Sequence, residues 1–393
     1  MKKTIISFMG VCLALSVQGM TFDEILQNVA SNNPSLAASS AKINAEKSAM
    51  KSENNLPDPE IGFEHKWGNE GTKWGVDISQ NFEWPGVYSS RKKAINKATQ
   101  ALDYLNQANR LDKLIEIKLL LIDIVNTHKQ LALMNKIDSQ INSLIIKYQQ
   151  GFNNGEVSRL DINKLNIEKI NISREINQLN NQKNELEAIL LQENGGNDIS
   201  VIISSLNEYS NEVILPKEKY EELLRENDPE MAQYSLMAQS NELNAKVVKM
   251  SKFPGVSVGY KLENELGTYF NGFSIGITLP TFSQRHKSAT IKATQELISL
   301  QNKEFEIGKL AQLNVQRENA ILLFQEMENY RPTLENQDNI TLLKKALDGG
   351  QINLITYIQE VNFFLEAQQN YLDVEYRYYQ TLASLNQYSL LNK

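Results

Sequence analysis

Cysteine is nearly absent. Of 393 residues only Cys12 carries a thiol, so no disulfide can form within the chain and no paired-cysteine metal or redox motif exists. Histidine is scarce. His65, His128 and His286 lie far apart, and no His-x-x-x-His ligand spacing occurs. No Gly-x-x-x-x-Gly-Lys phosphate loop is present, and no Gly-x-Ser-x-Gly elbow is expected. Beyond the first twenty residues, Met50, Met134, Met231, Met237, Met250 and Met327 are scattered as core fillers, not grouped as a relay for soft metals. The sequence thus offers no catalytic residue, no cofactor-binding residue and no metal ligand set, and a non-enzymatic role is expected. An excess of positive charge is also missing. The net charge of −7 disfavours a nucleic-acid binder. Long apolar runs are missing too. The longest beyond the first twenty residues, LLLIDIV at 119–125, is interrupted by Asp123, whereas a spanning helix needs about 20 apolar residues.

The first residues, MKKTIISFMGVCLALSVQGM, carry Lys2 and Lys3, an apolar stretch from Ile5 to Val17, and small residues after it. This pattern predicts a secretory signal peptide over 1–19, with an apolar core too short to span. The mature chain then lacks a cysteine and carries a net charge of −9, because both lysines leave.

What is present is a repetition. KATQ occurs at Lys97–Gln100 and again at Lys292–Gln295, 195 residues on. Pro34 and Pro229, Pro59 and Pro254, Pro85 and Pro280, and Gly155 and Gly350 keep the same offset. The chain reads as one unit written twice, 20–213 and 214–393. The period is too long for a solenoid, whose repeats stack every few tens of residues.

Each half contains a stretch of period two. Trp74, Val76, Ile78, Phe82 and Trp84 share one parity, with Gln80 the exception, while Gly75, Asp77, Ser79, Asn81 and Glu83 hold the other. In the second half Val256, Val258, Tyr260 and Leu262 alternate with polar residues. After a turn, Phe273, Ile275, Ile277 and Leu279 do the same. Period two with one apolar face marks a strand. Hairpins are predicted over about 60–84 and 255–280, with strands near the length of a tilted membrane β-strand. Trp67, Trp74 and Trp84 all fall in the first hairpin, as interfacial aromatic girdles require.

The rest reads as helix. Thr21 with Glu24 three residues on forms a capping-box signature, and a helix is predicted over about 35–55. From Ser89 to Gln150 there is neither proline nor glycine; 60 helical residues extend about 90 Å. GFNNGEV breaks this helix, and a return helix runs from about Ser158 to Gln192, giving a helical hairpin over about 87–195. The second copy gives a helix from about Gln284 to Leu347, with Pro332 expected to bend it. A break at Gly349–Gly350 and a return helix from Leu354 towards Leu390 complete a hairpin over about 283–391. In the first return helix, Leu160, Ile162, Leu165, Ile167, Ile170, Ile172, Ile176 and Leu179 are separated mostly by twos and threes. One narrow seam shows threes and fours, so two apolar stripes and a neighbour on each side are expected.

Four strands with one apolar face cannot span a bilayer alone, because open edges leave backbone groups unpaired in hydrocarbon. Three copies give twelve strands, and their long helices could continue the cylinder on the aqueous side.

Four segments then carry a resemblance: NNPSLAASSAKINAEKSA, ISQNFEWPGVYSSRKKAINKA, YQQGFNNGEVSRLDINKLNIEK and ALDGGQINLITYIQEVNFFLEAQQNYLDVEY. The chain resembles outer-membrane efflux proteins of the TolC family over essentially its whole mature length, and EWPG…R resembles the metal-exporting branch related to CusC and CzcC. The resemblance implies a mainly α chain with a small β part. Three subunits of that kind form a twelve-stranded membrane barrel, four strands per chain, continued by a periplasmic α-helical barrel. It implies a homotrimer in outer-membrane lipid, serving as the passive exit duct of a tripartite efflux or type I secretion system. Its partners are a periplasmic adaptor (membrane fusion) protein and an inner-membrane pump of the RND or ABC type.

By the same resemblance, the turns at Gly155, Val157 and Leu160 and at Gly350, Ile352 and Ile355 are the adaptor-facing tips. Family members carry entrance-gate acids six and nine places after the second tip glycine. Here those places hold Thr356 and Gln359, with Glu360 adjacent. Asp161, six after Gly155, is the matching acid in the first copy, and it also reads as an ordinary solvated helix charge. The expected membrane hairpins carry Trp67, Trp74, Val76, Ile78, Trp84, Val258, Tyr260, Ile275 and Ile277. The basic segments after them read as solvated faces or as contacts to acidic headgroups. The competing readings are a secreted helical structural or adhesive protein, and a periplasmic enzyme whose polar site is not assembled by any recognised motif.

Overall fold

A computed structural model describes residues 20–69, 71–334 and 339–392. The expected signal peptide and Cys12 lie outside these. In chain order the elements are α1 (Phe22–Asn32), α2 (Pro34–Ser52), β1 (Glu60–Gly68), β2 (Gly71–Phe82), α3 (Pro85–Asn153), α4 (Arg159–Glu193), α5 (Ser200–Ser205), α6 (Lys217–Asn227) and α7 (Pro229–Met250). Then follow β3 (Gly255–Glu265), β4 (Thr268–Thr278), α8 (Lys287–Leu334), α9 (Asn339–Asp348), α10 (Leu354–Leu385) and a 3₁₀ segment, Gln387–Asn392. The fold is mainly helical with one small antiparallel sheet, as the periodicities predict.

The chain packs as two compact units, each drawn from both sequence halves. One comprises residues up to Asn33, Ile117–Asn211 and Thr333–Tyr379; the other comprises Pro34–Glu116, Glu212–Pro332 and the residues from Gln380 on.

The first unit is helical. Thr21 caps α1: its hydroxyl accepts from Glu24 N at 3.3 Å, and Glu24 Oε2 accepts from Thr21 N at 2.8 Å. This is the capping box that the sequence signals. Its core joins Ile137, Ile141 and Leu144 of α3, Leu165 and Ile172 of α4, Ile340 of α9, and Leu354, Tyr357 and Val361 of α10. Burying each such side chain contributes about 1.5–3 kcal/mol. Polar ties lie elsewhere in the unit. Lys129 reaches both oxygens of Glu375 at 3.1 Å and sits 4.6 Å over the Tyr209 ring. On α4 the two expected stripes separate. Ile162, Leu165, Ile172 and Leu179 are buried, whereas Leu160, Ile167 and Ile170 are exposed.

The second unit holds the sheet and the helices that lead into it. Asp228 ends α6 and caps α7, accepting from Glu230 N at 2.9 Å and Met231 N at 3.0 Å, with Pro229 at the first helical position. α8 also has two apolar sides: Ile298, Leu313, Ala320, Leu323 and Met327 are buried, while Leu300, Ile307, Val315 and Leu322 are exposed.

Two helix boundaries differ from the sequence reading. The stretch expected as one helix to Leu347 appears as α8 and α9, with 335–338 outside the described residues, and Pro332 lies in the last turn of α8. The final helix ends at Leu385 and tightens to 3₁₀. There Tyr388 is buried and its hydroxyl donates to Asp228 Oδ2 at 2.8 Å. The tertiary contact favours the tighter winding.

Candidate functional site

Two features hold the sequence-predicted residues: the sheet of the second unit and the helical turns of the first. The sheet runs β1-β2-β3-β4, every neighbouring pair antiparallel. Its register aligns side chains across all four strands. Ile61, Ile78, Tyr260 and Phe273 form one row; Phe63, Val76, Leu262 and Asn271 form the next. Gln80, Val258 and Ile275 continue the same face. This face is open to the surroundings: Phe273 is 86 % exposed, Ile275 77 % and Ile61 75 %. It carries no Asp, Glu, Lys or Arg.

The other face is its opposite. Alternation places there Glu60, Glu64, Asp77, Glu263, Glu265, Lys66, Lys73 and Lys261, which are all the charged residues of the four strands. All strand glycines lie there as well: Gly62, Gly68, Gly71, Gly75, Gly255, Gly259, Gly272 and Gly276. At several of these an added side chain forces a neighbour to shift. A Cβ at Gly62 meets Asp77 Oδ1 at 2.6 Å, and one at Gly259 meets Ser274 Oγ at 2.7 Å. Glycine on one face allows a sheet to bend towards that face. Curvature thus favours the polar face as the concave one.

Aromatic residues bracket the apolar face. At the turn end, His65, Trp74, Asn264 and Tyr269 share a row. Trp67 packs edge-on against His65 at 4.7 Å, and Trp74 lies 6.2 Å from Tyr269. At the helix end, Trp84 stacks on Phe253 at 5.3 Å. Arg91 closes this end on Glu83 at 2.6 Å. From Val256 to Asn264 the strand advances about 26 Å. Strands β1 and β4 each have one strand neighbour, so their outer backbone groups find no ladder partner among the described residues.

Ser257 and Ser274 sit in Gly-x-Ser-x-Gly stretches, Gly255–Gly259 and Gly272–Gly276, a hydrolase pattern that the sequence reading passed over. Both serines lie inside strands. A nucleophile elbow needs a sharp strand-to-helix turn, so neither stretch forms one.

The helical turns are built alike. Gly155 has φ +78° and Gly350 φ +72°. After α3, Glu156 N donates to Gly151 O at 2.8 Å and Gly155 N to Phe152 O at 3.0 Å. After α9, Gln351 N donates to Ala346 O at 2.9 Å and Gly350 N to Leu347 O at 3.1 Å. These are paired Schellman caps, which require a left-handed residue where each glycine stands. Ser158 then caps α4 through Leu160 N at 3.1 Å, and Asn353 caps α10 through Thr356 N at 2.9 Å.

Between the turns lies a groove of about 570 Å³ lined by Tyr148, Val157, Asp161, Ile352 and Ile355 among others. Lys147 of α3 meets Asp348 of α9 at 2.7 Å beside it. Burial, with Asp161 and Asp348 close by, raises the Tyr148 phenol above its usual range. Burial likewise pushes Tyr357 up to about 12. Of the expected entrance residues, Asp161 lines this groove and pairs with Lys164 at 3.4 Å. Thr356 Oγ1 lies 3.2 Å from Asn353 Oδ1, within the cap. Gln359 and Glu360 are exposed, as is Leu160. The structure therefore gathers Val157, Asp161, Ile352 and Ile355, and leaves Leu160, Gln359 and Glu360 outside the groove lining.

Among the described residues no group of three or more His, Cys, Asp or Glu could hold a metal ion. None of their helices is long and apolar enough to cross a membrane, which says nothing of strands.

No family model matches the chain, and no curated protein matches it in sequence. Solved structures do match. A membrane protein from Pseudomonas aeruginosa superposes with a TM-score of 0.74 at 13 % identity, covering 93 % of this chain and 92 % of that one. The CmeC outer membrane channel of Campylobacter jejuni gives 0.71 at 13 % identity, with 93 % and 85 % covered. CusC gives 0.63 at 11 % identity, with 94 % and 91 % covered. The chain has the fold of these channels. CusC does not stand out among them, so the similarity does not single out a metal-exporting branch.

Proposed function

We propose that this chain is one subunit of a homotrimeric outer-membrane exit duct, which lets solutes leave passively while a partner supplies the energy. The observation that carries the reading is the sheet. All of its charges lie on one glycine-rich face and none on the other. A row with Trp74 and Tyr269 at one end and the Trp84–Phe253 stack at the other bound the apolar face, and both edges are open. In hydrocarbon open edges are untenable, and single-chain barrels need at least eight strands. Three four-stranded sheets closed edge to edge satisfy every backbone group, with the apolar face towards lipid and the polar face towards water. The exposed stripes on α4 and α8 suit neighbouring helices of adjacent subunits, and the channel folds reported above suit the same assembly.

The glycine turns suit docking of a periplasmic adaptor, through Gly155, Val157, Leu160, Gly350, Ile352 and Ile355. An inner-membrane pump of the RND or ABC type stands behind it. Asp161, Thr356, Gln359 and Glu360 belong to the entrance in this reading, with Asp161 the acid nearest the turns. The chain further reads as two copies of one unit, 20–213 and 214–393. In support, α1 and α6 each have 11 residues and start 195 positions apart, β1 and β3 start at the same offset, and so do α4 and α10.

The test is fractionation together with a deletion strain. The reading expects the processed chain in the outer membrane as a heat-modifiable oligomer. It also expects loss of the gene to lower tolerance to some antibiotics, detergents or metals. A water-soluble monomer in the periplasmic fraction contradicts it.

A further inference from the structure

The glycine-rich face of the sheet carries a chain of ion pairs with an excess of acid. Lys261 Nζ lies 2.6 Å from Glu263 and 3.7 Å from Glu64. Lys73 Nζ lies 3.5 Å from both Glu263 and Glu265, and Lys66 pairs with Glu64. Every lysine of this face is thereby held against carboxylate. Five acids stand against three lysines, so the face keeps two negative charges per chain. The cross-strand row Glu64, Gly75, Glu263 and Phe270 has two carboxylates and no base. Asp77 takes part in none of the ladder's ion pairs, and Glu60 accepts from Asn81 Nδ2 at 3.2 Å. Around these groups the glycines keep the wall low, so the charges are the tallest polar features on it.

We propose that this ladder makes the sheet-lined stretch of the duct favour cations, with Glu64, Asp77 and Glu263 setting the preference and Lys73 and Lys261 moderating it. The inference rests on the duct reading, in which this face lines the pore. A ring of fixed carboxylates raises the local cation concentration and lowers that of anions. Neutralising one carboxylate lowers the local cation concentration about twofold, the change a unit charge produces at about 8 Å in water, and raises that of anions by the same factor, so the cation-to-anion ratio falls about fivefold. Positively charged solutes, metal ions or protonated amines, pass this stretch more readily than anions of the same size.

The test uses the purified full-length assembly in planar bilayers across a KCl gradient. The expected potassium-to-chloride permeability ratio exceeds one at low salt. It falls in Glu263→Gln and Glu64→Gln, rises in Lys73→Gln, and approaches one near 1 M salt, where the screening length is about 3 Å. Asp77→Asn, across the register from Lys261, reads the same effect while leaving every ion pair of the ladder in place, should a ladder variant fail to assemble. Normal conductance with an unchanged ratio in Asp77→Asn and in every ladder variant that assembles overturns the inference and leaves the duct standing. Inserted protein that conducts nothing overturns the duct itself, and the inference with it.

Discussion

The sheet and the return helix α4 both expose apolar side chains, but in different ways. On the sheet the apolar face is continuous across four strands and free of charge, from Ile61 through Ile78 and Tyr260 to Phe273. On α4 the exposed set is a stripe, Leu160, Ile167 and Ile170, flanked by Lys164, Glu168 and Lys169. A helix satisfies its own backbone and needs only a neighbour for its stripe. A strand at an open edge needs a backbone partner as well, and a broad uncharged face needs an apolar solvent. In the proposed duct this contrast separates a lipid-facing sheet from the subunit-facing stripes of the helices.

The strongest way to break this contrast is to exchange polarity on adjacent sheet residues. Ile275→Lys places a cation on the apolar face, at a cost of about 2–4 kcal/mol near a bilayer midplane, and most of the chain should be lost from the outer-membrane fraction. Ser274→Lys, one residue away on the polar face, should insert normally. Equal yields of the two refute the face assignment. The two stripes of α4 give a similar test. Leu165→Ala removes a fully buried side chain and should destabilise the fold by about 2–5 kcal/mol, read as a lower unfolding midpoint. Ile167→Ser should leave that midpoint nearly unchanged and weaken the oligomer in detergent.

A smaller effect is expected at the turns. No atom lies within 4 Å of a Cβ added at Gly155 or Gly350, so Gly350→Ala costs only the left-handed backbone, about 1–2 kcal/mol. Antibiotic tolerance measured in Gly350→Ala and Gly350→Pro should fall further in the second, which cannot adopt positive φ.

The smallest effect concerns pH. Burial, with Asp228 and Asp112 nearby, raises the Glu230 carboxyl above its ordinary 4.5, although Lys309 opposes the shift. The folded state then holds this proton more tightly than the unfolded one. Its contribution is full below pH 4.5 and is lost as pH rises through the raised value. Glu230→Gln should therefore raise the thermal midpoint slightly at neutral pH and leave it unchanged in acid.

Much of this was legible in the sequence because two periods are hard to confuse. The alternation at Trp74–Trp84, Val256–Leu262 and Phe273–Leu279 put the apolar residues of three of the four strands on one shared face, and Ser158 and Leu354 marked helix starts within a residue. The helices α5, α6 and α7 were missed; in α6, KEKYEELLREN offers few apolar residues. The 195-residue offset from Phe22–Asn32 was the signal that could have found that helix. The 3₁₀ end of the chain was not legible, because it depends on Tyr388 meeting Asp228 across 160 residues. The charge ladder was equally hidden: Lys73 and Glu263 lie in different halves, and only the register of β2 on β3 brings them together. Nor was it legible that the backbone and hydroxyl of Thr356, an entrance position by resemblance, are engaged by Asn353.

The central claim is that β1 of one chain pairs with β4 of another. Cys12 is the only native cysteine and leaves with the expected signal peptide, so engineered pairs can be read cleanly in the processed chain. Single cysteines at Glu60 or Glu64 in β1 and at Phe270, Gly272 or Ser274 in β4, combined in one chain and oxidised in outer membranes, should give covalent dimers and trimers on non-reducing gels for at least one pairing. Inserted protein that stays monomeric in every combination contradicts the account.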